Sequence, residues 1–228
     1  MTDTTENVAV GHEAGRALTT SGNVAIGAKT CSDTSSSSTV AIGQDCHRAH
    51  GGSGNVAVGH SALKTAGAGA SNTCIGTSSG DLITSGSNNS CLGNASDPSS
   101  ATASNEVTLG NSSISTLRCQ VTSITALSDR RDKTDINTLD LGLDFINELK
   151  PVKFKWQSRH GMTKDGTYEA GFIAQDFQQV QKDNDAEYLN MVLESDPDKL
   201  EAAPGKLLPI LVRAVQELSA KVTALEAG

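Results

Sequence analysis

A four-residue apolar motif ending in glycine recurs seven times in the first half of the chain. The glycines lie 16 residues apart three times and then 17 residues apart three times. Within each motif, larger β-branched or apolar residues mostly alternate with a smaller one, which predicts a β-strand, and the short fixed period predicts one strand plus its return per repeat. The first 110 residues are therefore predicted to form a β-solenoid or β-roll. The seven motifs begin at Val8, Val24, Val40, Val56, Thr73, Ser90 and Val107.

The alternation within each motif also predicts how the strands pack. Val8 and Val10 face one way and Ala9 the other, so we expect the strand to be buried on both faces. About half of each repeat is small or polar, and we expect that a single narrow coil cannot exclude water. Three chains are therefore expected to pack their strand faces together. The glycine that closes each motif is expected to be a turn residue with a positive φ.

After Gly110 the repeat stops, and apolar residues follow at intervals of three or four. This spacing suits either a strand or a helix, so the secondary structure of this neck stays open. We assign residues 1–113 to the fibre segment, 114–127 to the neck and 128–228 to a separate α+β domain. The apolar neck positions are Ile114, Leu117, Val121, Ile124 and Leu127.

The last hundred residues show ordinary α and β patterns. Thr138 is predicted to cap a helix that ends before Pro151, and the helix is followed by a hairpin whose polar loop lies around His160 and Asp165. Phe177 and Val180 mark a further short helix. The first helix carries Leu139, Leu143, Ile146 and Leu149, and the two hairpin strands carry Val152, Phe154 and Trp156, then Tyr168, Ala170 and Phe172.

The final element is a long helix with apolar residues at alternating intervals of four and three. This heptad pattern predicts a coiled-coil-like seam between copies of the chain. The alternative is a helix that packs on its own domain, because fewer than three heptads are present. The seam residues are Leu211, Val215, Leu218, Val222 and Leu225.

Composition separates the two halves and restricts the class of protein. All seven aromatic residues follow position 127, whereas 16 of the 22 glycines precede it. The net charge of −8 argues against nucleic acid as a partner, since phosphate binding needs clustered Lys and Arg. No apolar run is long enough for membrane insertion, and no signal peptide is visible. The odd number of cysteines, five, favours free thiols over disulfides.

The strongest candidate chemistry lies where the composition changes. Ser128 and Lys133 are five residues apart, so a turn could bring the lysine amine to the serine hydroxyl, where a neutral amine acts as a general base. Taken alone, this spacing is more often found in a solvated charged turn.

The surroundings of the pair strengthen the case. Aspartate, arginine and lysine stand one, three and five positions after the serine, and an amphipathic helix, a Lys-Pro, an aromatic strand, the run 170–175 and the heptad helix follow. In this combination, the segment from Ser128 to Gly228 resembles the C-terminal intramolecular chaperone domain of viral tail spikes and fibres. The repeats over residues 7–110 similarly resemble the heads of trimeric bacterial adhesins and the shafts of viral fibres.

This resemblance implies a function and a site. The domain would assist homotrimer assembly and then cut itself off immediately before the serine, at the Leu127–Ser128 bond. Ser128 would be the nucleophile, Lys133 the base, and Asp129 and Arg131 supporting residues. The reaction would be a single-turnover serine endopeptidase step in cis and would need no cofactor. Because lysine has an ordinary pKa of about 10.4, the base would need burial, which we expect trimer closure to supply.

The sequence thus predicts a viral tail fibre or appendage protein, made in the host cytoplasm and located in the virion, with a host-cell receptor as a further partner. The alternative is a structural or adhesive trimer whose C-terminal domain is a non-cleaving cap. A bacterial surface adhesin is a third interpretation. It is disfavoured because the signal peptide and the C-terminal membrane anchor expected of such a protein are not visible in the sequence.

Two groups of metal-ligating residue types remain. Cys46, His47 and His50 lie within five residues, and whether they hold a metal is left open, although no tetrahedral zinc spacing is present. Cys74 and Cys91 occupy the small position of their motifs and are expected to stack as buried small residues.

Overall fold

Seven three-residue strands form one parallel sheet in the first part of the chain, in the order β1 to β7. The computed structural model describes residues 6–33, 36–49, 51–65, 67–121, 123–157 and 166–228. The chain divides into an N-terminal unit, Met1–Ser115, and a C-terminal unit, Thr116–Gly228. The strands are β1 Val8–Val10, β2 Val24–Ile26, β3 Val40–Ile42, β4 Val56–Val58, β5 Thr73–Ile75, β6 Ser90–Leu92 and β7 Val107–Leu109.

Each strand pairs with the next one at matching motif positions. Val8 pairs with Val24 across a 16-residue repeat, and Val56 pairs with Thr73 across a 17-residue repeat. The additional residue is therefore absorbed in the return and does not shift the register of the strands. The predicted β-solenoid, with one strand and one return per repeat, is confirmed.

The interior of the solenoid is filled by the small middle residue of each strand. Ala25, Ala41 and Cys74 have no exposed surface, whereas the larger flanking side chains point outward, as at Val10, which is 58% exposed. The expectation that the strands are buried on both faces is wrong for a single chain. The expectation that one coil cannot exclude water is also wrong, because small side chains fit the narrow interior. Cys91 is 1% exposed, so the predicted burial of the cysteine pair is confirmed.

A ladder of buried polar side chains stands immediately before the strands, and the sequence pattern did not predict it. Asn55, Asn72 and Asn89 are each at most 1% exposed. The backbone N–H of Asn72 donates to Asn55 Oδ1 at 2.8 Å, and that of Asn89 donates to Asn72 Oδ1 at 3.0 Å. Because buried backbone donors need partners, these side chains pair the N–H groups of Asn72 and Asn89 where the chain enters β5 and β6.

The glycine that ends each motif fulfils two requirements. All seven have φ between +78° and +139°, a region that favours glycine. At Gly43, a Cβ atom would also collide with the backbone carbonyl of Gly59 in the next coil. The predicted turn role is confirmed, and close stacking of the coils adds a steric reason for glycine.

The neck forms neither of the two structures that its spacing allowed. Between residues 111 and 129, the described residues, which omit 122, include no helix and no strand. Leu117, Ile124 and Leu127 are 70%, 99% and 86% exposed. In a single chain, these apolar side chains therefore lie mostly in solvent.

The C-terminal unit surrounds a conventional core of large side chains. Phe145, Phe177, Met191 and Ile210 are each at most 2% exposed and lie in one cluster. The unit contains α1 Leu143–Glu148, β8 Val152–Lys155, β9 Tyr168–Gly171, α2 Ala174–Asp183, β10 Val192–Leu193, β11 Glu201–Ala202 and α3 Leu208–Glu226. The predicted fold class, a mainly β solenoid followed by an α+β region and a long C-terminal helix, is confirmed.

Two predicted elements of this unit need comment. Helix α1 does not begin after Thr138 but is preceded by Gly142, because Leu139 and Leu141 reach the core from non-helical backbone. The predicted hairpin is present, with β8 and β9 antiparallel and Lys155 opposite Tyr168. The polar loop predicted around His160 and Asp165 lies outside the described residues.

Helix α3 has two apolar sides with different environments. Ile210 and Ala214 are buried against the unit's own core, whereas Val215 and Leu218 on the predicted seam are 63% and 45% exposed. The helix therefore packs on its own domain and still presents the heptad stripe to solvent. No helix within the described part of the chain has the length and apolar content needed to cross a membrane.

Candidate active site

A short 3₁₀ helix, Arg130–Asp132, follows the neck and carries the candidate dyad on its two flanks. Asp129 is its N-cap, and one carboxylate oxygen accepts from the backbone N–H of Arg131 at 2.8 Å. The backbone N–H of Lys133 donates to the carbonyl of Arg130 at 3.2 Å. None of the three helical residues is buried, so local hydrogen bonds rather than core packing define this turn.

The turn brings the two predicted site residues together. The Nζ of Lys133 donates to the Oγ of Ser128 at 2.5 Å. A charged ammonium can only donate, whereas a neutral amine at the same place could accept the serine proton. The geometry therefore meets the distance requirement for a serine nucleophile and its general base.

Solvent surrounds this pair in the single chain. Ser128, Lys133 and the preceding Leu127 are all exposed. Among the described residues, no carboxylate lies within ion-pairing distance of the Lys133 amine. The bond on the N-terminal side of Ser128 is thus accessible, and none of the described residues covers the lysine amine.

The predicted supporting residues form an ion pair beside the dyad. The Arg131 side chain donates to Asp129 through Nη2 at 2.7 Å and through Nε at 3.1 Å and 3.2 Å. This hydrogen bonding lowers the pKa of Asp129 and raises the pKa of Arg131. The Asp129 carboxylate is therefore held in its charged form, in which both oxygens accept hydrogen bonds.

One structural link in this unit was missed by the sequence interpretation. A Glu217 carboxylate oxygen accepts from the backbone N–H of Leu143 at 2.8 Å, and its other oxygen pairs with Arg213 Nε at 3.0 Å. The helix α1 is thus capped by a side chain 74 residues later in the sequence. No local pattern signals such a distant partner, although Gly142 leaves the space that Glu217 occupies.

The possible metal ligands in the solenoid are not gathered into a site within the described residues. Cys46 and His47 are fully buried, while His50 lies outside the part of the chain that is described. His47 Nδ1 lies 3.8 Å from Cys31 Sγ, and His47 Nε2 lies 3.2 Å from Asn55 Nδ2. No cluster of three His, Cys, Asp or Glu residues suited to a metal ion occurs among the described residues.

Comparison with known families finds a match that covers part of the C-terminal unit. Residues 128–186 match the family described as chaperone of endosialidase, which comprises self-cleaving, serine-peptidase-like chaperone domains. The match begins at Ser128 and confirms the predicted resemblance for this segment. No curated protein and no solved structure matches the chain.

Proposed function

We propose that this chain is a viral tail fibre or appendage protein whose C-terminal domain promotes homotrimer assembly and then releases itself between Leu127 and Ser128. The observation that carries the proposal is the hydrogen bond between Lys133 and Ser128, located where the match to the self-cleaving chaperone family begins. In this proposal, residues 1–113 are the fibre, residues 114–127 the neck and residues 128–228 the released domain.

Exposed apolar residues support a homotrimer. They occur on the outer face of the solenoid strands, along the neck and on the seam of α3, with Leu92, Leu117 and Val222 exposed by 52%, 70% and 51%. Exposed apolar surface is a feature of association sites, and a heptad stripe is the feature that packs helices together. Three copies in parallel would cover all three regions at once.

The proposed reaction is an acyl shift followed by hydrolysis. Lys133 takes the proton from Ser128 Oγ, and the oxygen attacks the carbonyl carbon of Leu127. The bond between that carbon and the Ser128 nitrogen breaks, and the nitrogen takes the proton, which leaves an ester. Water then hydrolyses the ester to the Leu127 carboxylate and the Ser128 hydroxyl. Because nucleophile and carbonyl belong to neighbouring residues, their effective concentration is high.

Assembly would control the timing of this reaction. A lysine amine is a base only after it has lost its proton, and removal of water favours the neutral form. The dyad is exposed in the single chain, so burial against neighbouring chains would be the activating event. Cleavage would then follow correct trimer formation, and the released fibre would be incorporated into the virion, where a host-cell receptor would be its further partner.

The same exposure favours a second candidate function. If trimer closure does not bury Lys133, the C-terminal domain would act as a permanent trimerisation cap on a structural or adhesive fibre. The two functions differ in one observable, the mass of the purified chain under denaturing conditions.

The test therefore measures that mass for the wild type and three variants. We expect the wild type to give two pieces, residues 1–127 and 128–228, while Ser128→Ala and Lys133→Ala each give one full-length species that still assembles. Ser123→Ala, which alters an exposed serine of the neck, should be cut like the wild type. A single full-length mass for the wild-type trimer would reject self-cleavage and leave the permanent cap.

A further inference from the structure

We propose that Asp129 is a positioning residue for the cut, acting as a hydrogen-bond acceptor that holds Lys133 against Ser128. This inference rests on the proposed self-cleavage and adds to it a role for Asp129, which follows the nucleophile Ser128 and precedes the 3₁₀ helix. The Asp129 carboxylate could act through its hydrogen-bond acceptor or through its charge. We assign the positioning of Lys133 to the acceptor.

The first argument is that the dyad depends on a turn with little else to hold it. Ser128 and Lys133 are joined by four residues, and the 3₁₀ helix between them buries none of its side chains. Apart from the Arg131–Asp129 ion pair, three local hydrogen bonds hold its backbone. The backbone N–H groups of Arg131, Asp132 and Lys133 donate to Asp129 Oδ1, to the Asp129 carbonyl and to the Arg130 carbonyl, respectively.

Only the first of these bonds uses a side chain. The 2.8 Å bond from Arg131 N–H to Asp129 Oδ1 satisfies a donor that has no partner within the turn, as an N-cap does in longer helices. Without it, the first residues of the turn lose their restraint, and the position of Lys133 relative to Ser128 broadens. A dyad that works by proton transfer at hydrogen-bond distance is sensitive to such a change.

The charge of Asp129 is expected to matter less. Its partner Arg131 has a side chain that is 87% exposed, and ion pairs in contact with solvent contribute little. Asparagine and serine are N-cap acceptors comparable to aspartate. An uncharged acceptor at position 129 should therefore preserve the geometry of the dyad.

The experiment measures the rate of cleavage during cell-free synthesis of the full chain, with samples quenched in denaturant. Asp129→Ala is expected to cut about five-fold more slowly, the factor that corresponds to a typical N-cap contribution of ~1 kcal/mol. Asp129→Asn and Asp129→Ser are expected to remain within about two-fold of the wild type. Arg131→Ala, which removes the ion pair but keeps the cap, should cut faster than Asp129→Ala. Ser123→Ala, at the exposed neck serine outside the site, is the control and should cut at the wild-type rate.

Two further readouts separate positioning from other roles. Light scattering, compared with the extent of cleavage in each preparation, should give a trimeric mass for all variants, because the turn has no buried side chain. The pH at which the rate is half maximal should be the same for Asp129→Ala and Asp129→Asn, because both variants lose the carboxylate charge and differ only in the hydrogen-bond acceptor.

The outcomes are distinct. If Asp129→Ala cuts as fast as the wild type, or if Asp129→Asn is as slow as Asp129→Ala, the acceptor role is overturned while self-cleavage stands. If Arg131→Ala is the slowest variant, the ion pair and not the cap positions Lys133. If the wild type remains uncut, the proposed function itself fails, and the positioning role fails with it.

Discussion

The two units build their cores from opposite kinds of side chain. In the N-terminal unit, alanine or cysteine recurs in the middle of six of the seven strands and asparagine recurs before five of them, and successive asparagines of the ladder are hydrogen-bonded from coil to coil. In the C-terminal unit, Phe145, Phe177, Met191 and Ile210 come from distant parts of the sequence. The first core is therefore a series of similar interfaces between neighbouring coils. The second core forms only when residues that are far apart in the sequence come into contact.

This difference suggests that the two units have different roles. In a repetitive core, every coil can stack equally well on any other coil. The number of repeats therefore sets the length of the solenoid, but the repeats do not determine which chains associate. A core of large, unique side chains forms one structure and can hold α3 in a defined orientation. We expect the C-terminal unit to determine assembly and the solenoid to determine the rigidity of the product.

The largest expected effect is loss of the trimer when the seam of α3 is charged. Val215→Asp with Leu218→Asp would bring like charges from three chains into a poorly hydrated seam, at a cost of several (~5) kcal/mol per trimer. Light scattering should then show monomers, and denaturing electrophoresis of the same preparation should show uncut chains.

The matched control places the same two charges beside the seam. Gln216→Asp with Ser219→Asp alters two exposed positions of α3 with the same spacing, and it should assemble and be cut normally. Efficient cleavage of a monomeric seam variant would show that the dyad is complete within one chain. The proposed link between assembly and cleavage would then be abandoned.

An intermediate effect is expected from the asparagine ladder of the solenoid. Asn89→Ala removes the acceptor for the N–H of Glu106 and the donor to the carbonyl of Ala103. Since each buried polar group left unpaired costs about 1–3 kcal/mol, the variant should lower the free energy of unfolding of this unit by about 3 kcal/mol. Urea unfolding followed by circular dichroism measures the change.

The neighbouring residue provides the control for the ladder. Asn88 is exposed and has φ +58°, so Asn88→Gly removes its side chain without straining the backbone. Its effect should stay below about 1 kcal/mol. Equal losses from both variants would mean that burial of the ladder contributes nothing to the stability of the coils.

The smallest expected effect is a pH dependence caused by the interior thiols. Burial raises the pKa of Cys31 and of Cys46 to about 12. Above about pH 9 the unfolded thiols lose their protons while the folded ones retain them, so stability is lost as the pH rises from about 9 towards 12 and is unaffected below that window. Each thiol contributes ~1.4 kcal/mol of this loss per pH unit.

Cys46→Ala should therefore reduce the loss of stability between pH 8 and pH 10 by about 1.4 kcal/mol. Cys119→Ala, in the C-terminal unit, should leave the pH dependence of the solenoid unchanged. If Cys46→Ala has the same pH dependence as the wild type, the interior of the coil is wetter than the zero exposure of Cys46 indicates.

The solenoid was largely predictable because its information is periodic. The motifs located all seven strands, and the turn glycines followed from their constant place after each strand. The asparagine ladder was missed because a single asparagine before a strand resembles a loop residue, and Thr39 and Glu106 interrupt the series. The outward direction of the valines was misjudged because alternation alone does not show which face is the interior.

The C-terminal unit was predictable only where its signals were local. The hairpin, the helix around Phe177 and the closeness of Ser128 to Lys133 all follow from short spacings. The start of α1 was not predictable, because Leu139 and Leu141 contribute to the core from non-helical backbone and Glu217 supplies the cap from far along the sequence. The two-residue strands β10 and β11 are too short to give a pattern.

Because the register between coils is constant, the length of the N-terminal unit is proportional to its number of repeats. Repeats of 16 and 17 residues add the same advance, about 4.8 Å per coil, because the additional residue is accommodated in the return. The six steps between β1 and β7 thus give roughly 29 Å. Duplication or deletion of one repeat in the gene would lengthen or shorten the solenoid by one coil and leave every other coil unchanged. The length of this unit could therefore change in evolution without any change in the C-terminal unit.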